Sequence, residues 1–132
     1  LADPRAAALV DGFAMRWFNL DELESVVPDP KLFPEFTPAL REDFTQELVL
    51  FLKSVLLSDQ SVMRLIDSDT TFLNERLAKH YGIKGVYGER FRKVEIPDPN
   101  RRGLLGHGSL LAVTSAKRAR SRSSISIHAN RW

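Results

Sequence analysis

The sequence predicts a mainly α fold with helical bundle-like packing, one short β element around residues 91–96 and an irregular basic tail. Three observations carry this. Asp3-Pro4 and Thr37-Pro38 each place a capping side chain and a first-turn proline ahead of apolar residues at helical spacing. "FLNERLAKHYG" keeps that period and closes on a glycine. "ERFRKVEIP" instead alternates, with Arg92, Val94 and Ile96 on one side and Phe91, Lys93 and Glu95 on the other.

The elements follow in order. After Asp3-Pro4, the residues Leu9, Val10, Phe13, Ala14, Trp17 and Phe18 recur as a helix should. Gly12 weakens that helix by ~1 kcal/mol relative to alanine or allows a close contact. "LDELESVV" adds a short turn. "PDPKLFPEF" is a proline-rich connection that Leu32, Phe33 and Phe36 should pin to the body.

The best helix begins at Pro38. Leu40, Phe44, Leu48, Phe51, Leu52, Val55 and Leu56 form its stripe, with Arg41, Glu42, Gln46 and Lys53 largely off it. Asp59 or Ser61 then caps a short helix through Ile66. In "DSDTTFLNERLAKHYGIKG", Asp69 or Thr71 is expected to cap a helix that bears Leu73, Leu77 and Tyr81 on one face. Gly82 turns the chain and Ile83 seals the stop. "LLGHGSLLAVTS" is a helix with glycines or a tight buried crossing. The expected core is Phe13, Trp17, Phe44, Leu48, Phe51, Leu52, Leu73, Leu77 and Tyr81. The helix from Pro38 should pack on both neighbouring helices.

Composition narrows function by exclusion. The chain has no cysteine, which removes disulfides, thiolate catalysis, cysteine-ligated zinc and covalent haem attachment within these 132 residues. No apolar run approaches the ~18 residues of a membrane span. Residues 1–66 carry six basic and eleven acidic side chains, whereas residues 67–132 carry thirteen and six. Five of the basic residues lie in the last 17, so the high pI belongs mostly to the tail.

Motif chemistry is thin. Asp67-x-Asp69 fails as a calcium loop, because Phe72 and Ala78 stand where glycine and glutamate are needed. His80 has neither a nucleophile nor an orienting partner in sequence; it suits a helix C-terminus, where its charge meets the dipole. "GHGSL" is not a nucleophile elbow, and Gly103, Gly106 and Gly108 read as permission for close packing. His80, His107 and His128 lack metal-ligand spacing. No catalytic, cofactor-binding or metal-binding residue is assigned, and no cofactor is expected in this segment.

The run from "LFPEFTPALREDF" through "FLNERLAKHYGIKGVYGERFRKV" to "RRGLLGHGSLLAVTS" resembles the adjoining helical domains of unknown function in planctomycete-type cytochrome c-like multidomain proteins. The resemblance covers residues from about 13 to 115, and "FLNERLAKHYGI" is its most specific part. It implies that residues 1–70 are the C-terminal part of one such domain and residues 71–115 the start of the next. It also implies an exported, extracytoplasmic parent that carries a haem c module elsewhere. The family pattern stops after Thr114-Ser115, so residues 116–132 are expected to be disordered or out of frame.

The function expected is a non-catalytic structural or interaction module, a piece of a longer protein. Its partners would be other domains of the parent chain, or an extracellular protein or polymer. One alternative is binding of nucleic acid or an acidic surface through Lys117, Arg118, Arg120 and Arg122. Another is an enzyme fragment using His80.

Overall fold

A computed structural model describes residues 3–18, 31, 34, 36–58, 60–112 and 114. It is mainly α with a small antiparallel sheet, as the sequence predicts. Helix α1 spans Pro4–Trp17, α2 Pro38–Leu56, α3 Arg64–Asp67 and α4 Glu75–Tyr81; strands β1 (Thr70–Leu73) and β2 (Arg92–Glu95) pair. Short 3-10 turns follow at Pro99–Arg101 and Leu104–Gly106, and residues 108–112 are helical. The turn expected in "LDELESVV", the roles of Leu32, Phe33 and Asp59, and the tail from Ala116 lie outside the described residues.

Both proline-led starts form as read. Asp3 accepts from the Arg5 N–H at 2.9 Å, and Thr37 Oγ1 from the Leu40 N–H at 3.2 Å. Along α2 the residues Leu40, Phe44, Leu48, Phe51, Leu52 and Val55 are buried, whereas Leu56 at the end of the stripe is exposed. The stripe divides between two apolar clusters. Leu48 and Leu52 pack with Val10 and Ala14 of α1, and Leu40 and Phe44 pack with Leu73, Leu77, Ala78 and Val86. Phe36 joins the second cluster as expected, its ring 6.0 Å from that of Phe44.

Two core assignments are corrected. Phe13 is 38% exposed and Trp17 72%. Helix α1 turns Val10 and Ala14 toward α2 instead, and the small Ala14 lets the two helices approach. The Phe13 and Trp17 rings lie against each other at a 41° tilt, with centroids 4.7 Å apart. Tyr81, also assigned to the core, is half-buried and packs against the cluster of Phe44, Leu73 and Leu77.

The stretch before α4 is corrected as well. Thr70–Leu73 is a strand, in register Thr71↔Val94 and Leu73↔Arg92 with β2. Thr71 therefore cannot cap α4, and Asp69 lies ahead of the strand. Asn74 is the cap, its Oδ1 accepting from the Leu77 N–H at 2.9 Å. At the other end Gly82 is left-handed (φ 72°) and the Ile83 N–H reaches the Ala78 carbonyl at 2.8 Å, the expected stop. Glu75 and Lys79 pair at 2.6 Å on the surface. In α3 the Ser61 hydroxyl accepts from the Met63 N–H, although Met63 occupies the cap position.

The glycines near residue 105 are explained by contact. A Cβ at Gly103 would overlap the Ile66 carbonyl, and one at Gly108 would overlap the Phe44 ring. Gly103 also donates its N–H to the Ser68 carbonyl at 2.8 Å, which ties this crossing to the end of α3. The fold thereby brings residues 103–108 against α2, β1 and α4.

Candidate functional site

Where those segments meet lies a buried polar cluster. Glu47 of α2 is 1% exposed, Thr71 of β1 1% and His107 2%. Spacing puts Glu47 three residues after Phe44 and four before Phe51, inside the buried stripe. Thr71 is inward on β1, as Leu73 is two residues later. Tyr81 comes from the last turn of α4. His107 sits between two glycines and packs on the Phe51 ring at 4.6 Å.

The hydrogen bonds connect all four side chains. Thr71 Oγ1 lies 2.7 Å from Glu47 Oε1 and 3.2 Å from His107 Nε2. The Tyr81 hydroxyl donates to Glu47 Oε2 at 2.8 Å and accepts from the Gly108 N–H at 2.9 Å. His107 Nδ1 faces the Leu104 carbonyl at 3.1 Å and so carries a hydrogen, since a carbonyl only accepts.

This geometry determines a proton count. Thr71 owns one hydrogen and stands between two acceptors, a carboxylate oxygen and an imidazole nitrogen. One extra proton resolves the conflict in either of two ways. On Glu47 it lets Oε1 donate to Thr71, and Thr71 donate to Nε2. On His107 it lets Nε2 donate to Thr71, and Thr71 donate to the carboxylate. Both arrangements satisfy every group, whereas loss of the proton leaves two lone pairs on one hydrogen and a buried negative charge. Burial favours the uncharged arrangement. It raises Glu47 from 4.5 to about 7, against the Thr71 and Tyr81 hydrogen bonds and the charge of Arg101. It lowers His107 from 6.5 to about 4, against the carbonyls of Leu104 and Gly103. Burial and the neighbouring Glu47 also push the Tyr81 phenol up, so it stays a donor.

The pair has opposed effects on stability. Between pH 4.5 and 7 folded Glu47 holds a proton that the unfolded chain has lost, so this group alone makes stability fall as pH rises. Between pH 4 and 6.5 unfolded His107 holds a proton that the folded chain lacks, so this group alone makes stability rise with pH. From pH 4.5 to 6.5 the two slopes cancel, because the pair carries one proton folded and one unfolded.

A cavity of about 300 Å³ adjoins the cluster. Glu47, Thr71, Tyr81 and His107 form its inner wall, and Ile83, Ile96, Pro97, Asp98 and Arg101 complete it. The Arg101 guanidinium lies over the Tyr81 ring, 5.2 Å from its centroid. Tyr81→Phe should cost about 1–3 kcal/mol in urea unfolding, because Gly108 N–H loses its acceptor and Glu47 a donor. A loss below about 0.5 kcal/mol would contradict that role.

The sequence assigned no site residue; of the residues it weighed, His107 and Thr71 lie in this cluster, whereas His80 and Asp69 do not. His80 is exposed, lies edge-on to Phe44 at 5.4 Å and is not part of the cavity wall. Asp69 faces Arg64 at 3.7 Å. Among the described residues no group of three or more His, Cys, Asp or Glu is placed to hold a metal ion. None of their helices is long and apolar enough to cross a membrane. What the sequence reading missed is Glu47, whose position in an apolar stripe was the available signal.

The family PSD4, described as "Protein of unknown function (DUF1592)", matches residues 1–83, more than half of the chain. The chain belongs to that family. No curated protein and no solved structure matches it. Glu47, Thr71 and Tyr81 fall inside the matched residues, and Arg101 and His107 beyond them.

Proposed function

We propose that this chain is a non-catalytic structural module of an exported, cytochrome c-linked multidomain protein. It joins the C-terminal part of one helical domain, residues 1–70, to the start of the next, residues 71–115. The observation that supports this most is the buried network of Glu47, Thr71, Tyr81 and His107. Its polar groups are engaged with one another at 2.7–3.2 Å, and together they cross-link α2, β1, α4 and the crossing at residues 103–108. Such a network fixes how segments sit. The resemblance centred on "FLNERLAKHYGI" supports the kind of parent.

Haem would belong to another part of that parent, because this chain offers no cysteine for its attachment. The module would position the redox domain, or dock an extracellular protein or polymer, outside the cytoplasm. The test is the full-length gene. A C-x-x-C-H motif and an export signal in the same reading frame are expected. A parent with neither would overturn the reading.

A further inference from the structure

The network engages Glu47, Thr71 and His107 with one another, but two charged groups on the cavity wall have unengaged capacity. Asp98, the extended cap of a 3-10 turn, and Arg101, the turn's last residue, both line the cavity. Asp98 Oδ1 accepts from the Asn100 N–H at 2.9 Å, and among the described residues Oδ2 has no hydrogen bond. Among the described residues Arg101 forms no ion pair; its guanidinium lies over the Tyr81 face and its charge acts on the Glu47 carboxyl, but no acceptor takes its N–H groups. An acceptor and a fork of donors thus look into one cavity from neighbouring positions. The same cavity is also lined by the apolar Ile83, Ile96 and Pro97.

Charge selects among ligands. Asp98 and Arg101 cancel, and the Glu47–His107 pair is neutral while it holds its one proton. A carboxylate ligand would meet Asp98, and an ammonium ligand would meet Arg101. A hydroxyl group does not have this difficulty, because it donates to Asp98 and accepts from Arg101. The volume of about 300 Å³ corresponds to about ten water-sized groups at about 30 Å³ each, room for a ring bearing several hydroxyls. The cavity shares Gly82, Ile83, Ile96 and Pro97 with a shallower groove of about 570 Å³ bordered by Asp69, Lys84, Glu95 and Arg102. That groove gives a longer molecule a way out.

We propose that the cavity binds an uncharged polyhydroxylated ligand of monosaccharide size, held by Asp98 and Arg101 against Ile83, Ile96 and Pro97. The ligand is either a free polyol or the end unit of a longer chain, and the two share this chemistry. The site needs no bond making, so it adds recognition to the structural role.

The experiment is a titration of the full chain by 1H–15N NMR with D-mannitol, D-glucose and maltotriose, and with D-gluconate and D-glucosamine as charged controls. Shifts at Tyr81, Ile83, Ile96 and His107 with one or more of the neutral probes are expected. Preference for maltotriose would identify a chain end, and preference for the small probes a free polyol. Asp98→Asn and Arg101→Ala should each weaken binding on the order of tenfold or more. Both residues are exposed, and asparagine keeps the turn's cap, so both variants should fold. The proposal is overturned if no neutral probe shifts these residues, if only a charged control does, or if neither variant weakens binding.

Discussion

Glu47→Gln should leave stability unchanged at pH 4.5 and raise it by about 3 kcal/mol at pH 8, measured by urea unfolding beside the parent. An amide is the uncharged counterpart of the protonated acid, donating to Thr71 and accepting from Tyr81 at the same positions. At pH 4.5 and below, parent and variant are therefore alike. Above pH 7 the parent carries a desolvated carboxylate, and its folded pKa of about 7 against 4.5 unfolded sets the cost. The variant avoids that cost. His107 contributes to both chains and largely drops out of the difference. A variant less stable than the parent at pH 8 would mean that the network needs the carboxylate charge.

Phe51→Ala should cost about 3–5 kcal/mol at any pH in this range, read from the same unfolding curves. Phe51 is 1% exposed, and its ring lies beside the His107 imidazole, so truncation opens space in the core and beside the polar cluster together. Leu77→Ala, at 0% exposure in the neighbouring apolar cluster, should cost about 2–5 kcal/mol. Near-zero changes in both would contradict the packing described.

The two substitutions also mark what was legible in the sequence. Phe51 and Leu77 could be placed because helical period and burial coincide at both. The caps Asp3 and Thr37 and the stop at Gly82 were legible because each is a local hydrogen-bonding requirement met by local residues. The failures required a partner from elsewhere. Thr70–Leu73 is too short to read as a strand without β2, which follows after α4. Phe13 and Trp17 keep the helical period, but only the approach of α2 decides that Ala14 faces inward. Period alone does not choose a face when both sides of a helix are apolar.

The polar cluster divides in the same way. Glu47 was within reach, since a carboxylate at a stripe position has to find donors or keep a proton. His107 was not. Its two glycines were read as close packing, and they are, but nothing near residue 107 says that its ring meets a side chain from α2. That contact is tertiary, made when Gly103 and Gly108 let the chain cross close to Ile66 and Phe44.

The central claim is that Glu47, Thr71 and His107 share one proton, held on the carboxyl side near pH 6. The most direct test is the 15N spectrum of the His107 ring at that pH. A neutral ring is predicted, with Nδ1 protonated toward the Leu104 carbonyl and Nε2 bare toward Thr71. A ring protonated on both nitrogens, or on Nε2 alone, would contradict it.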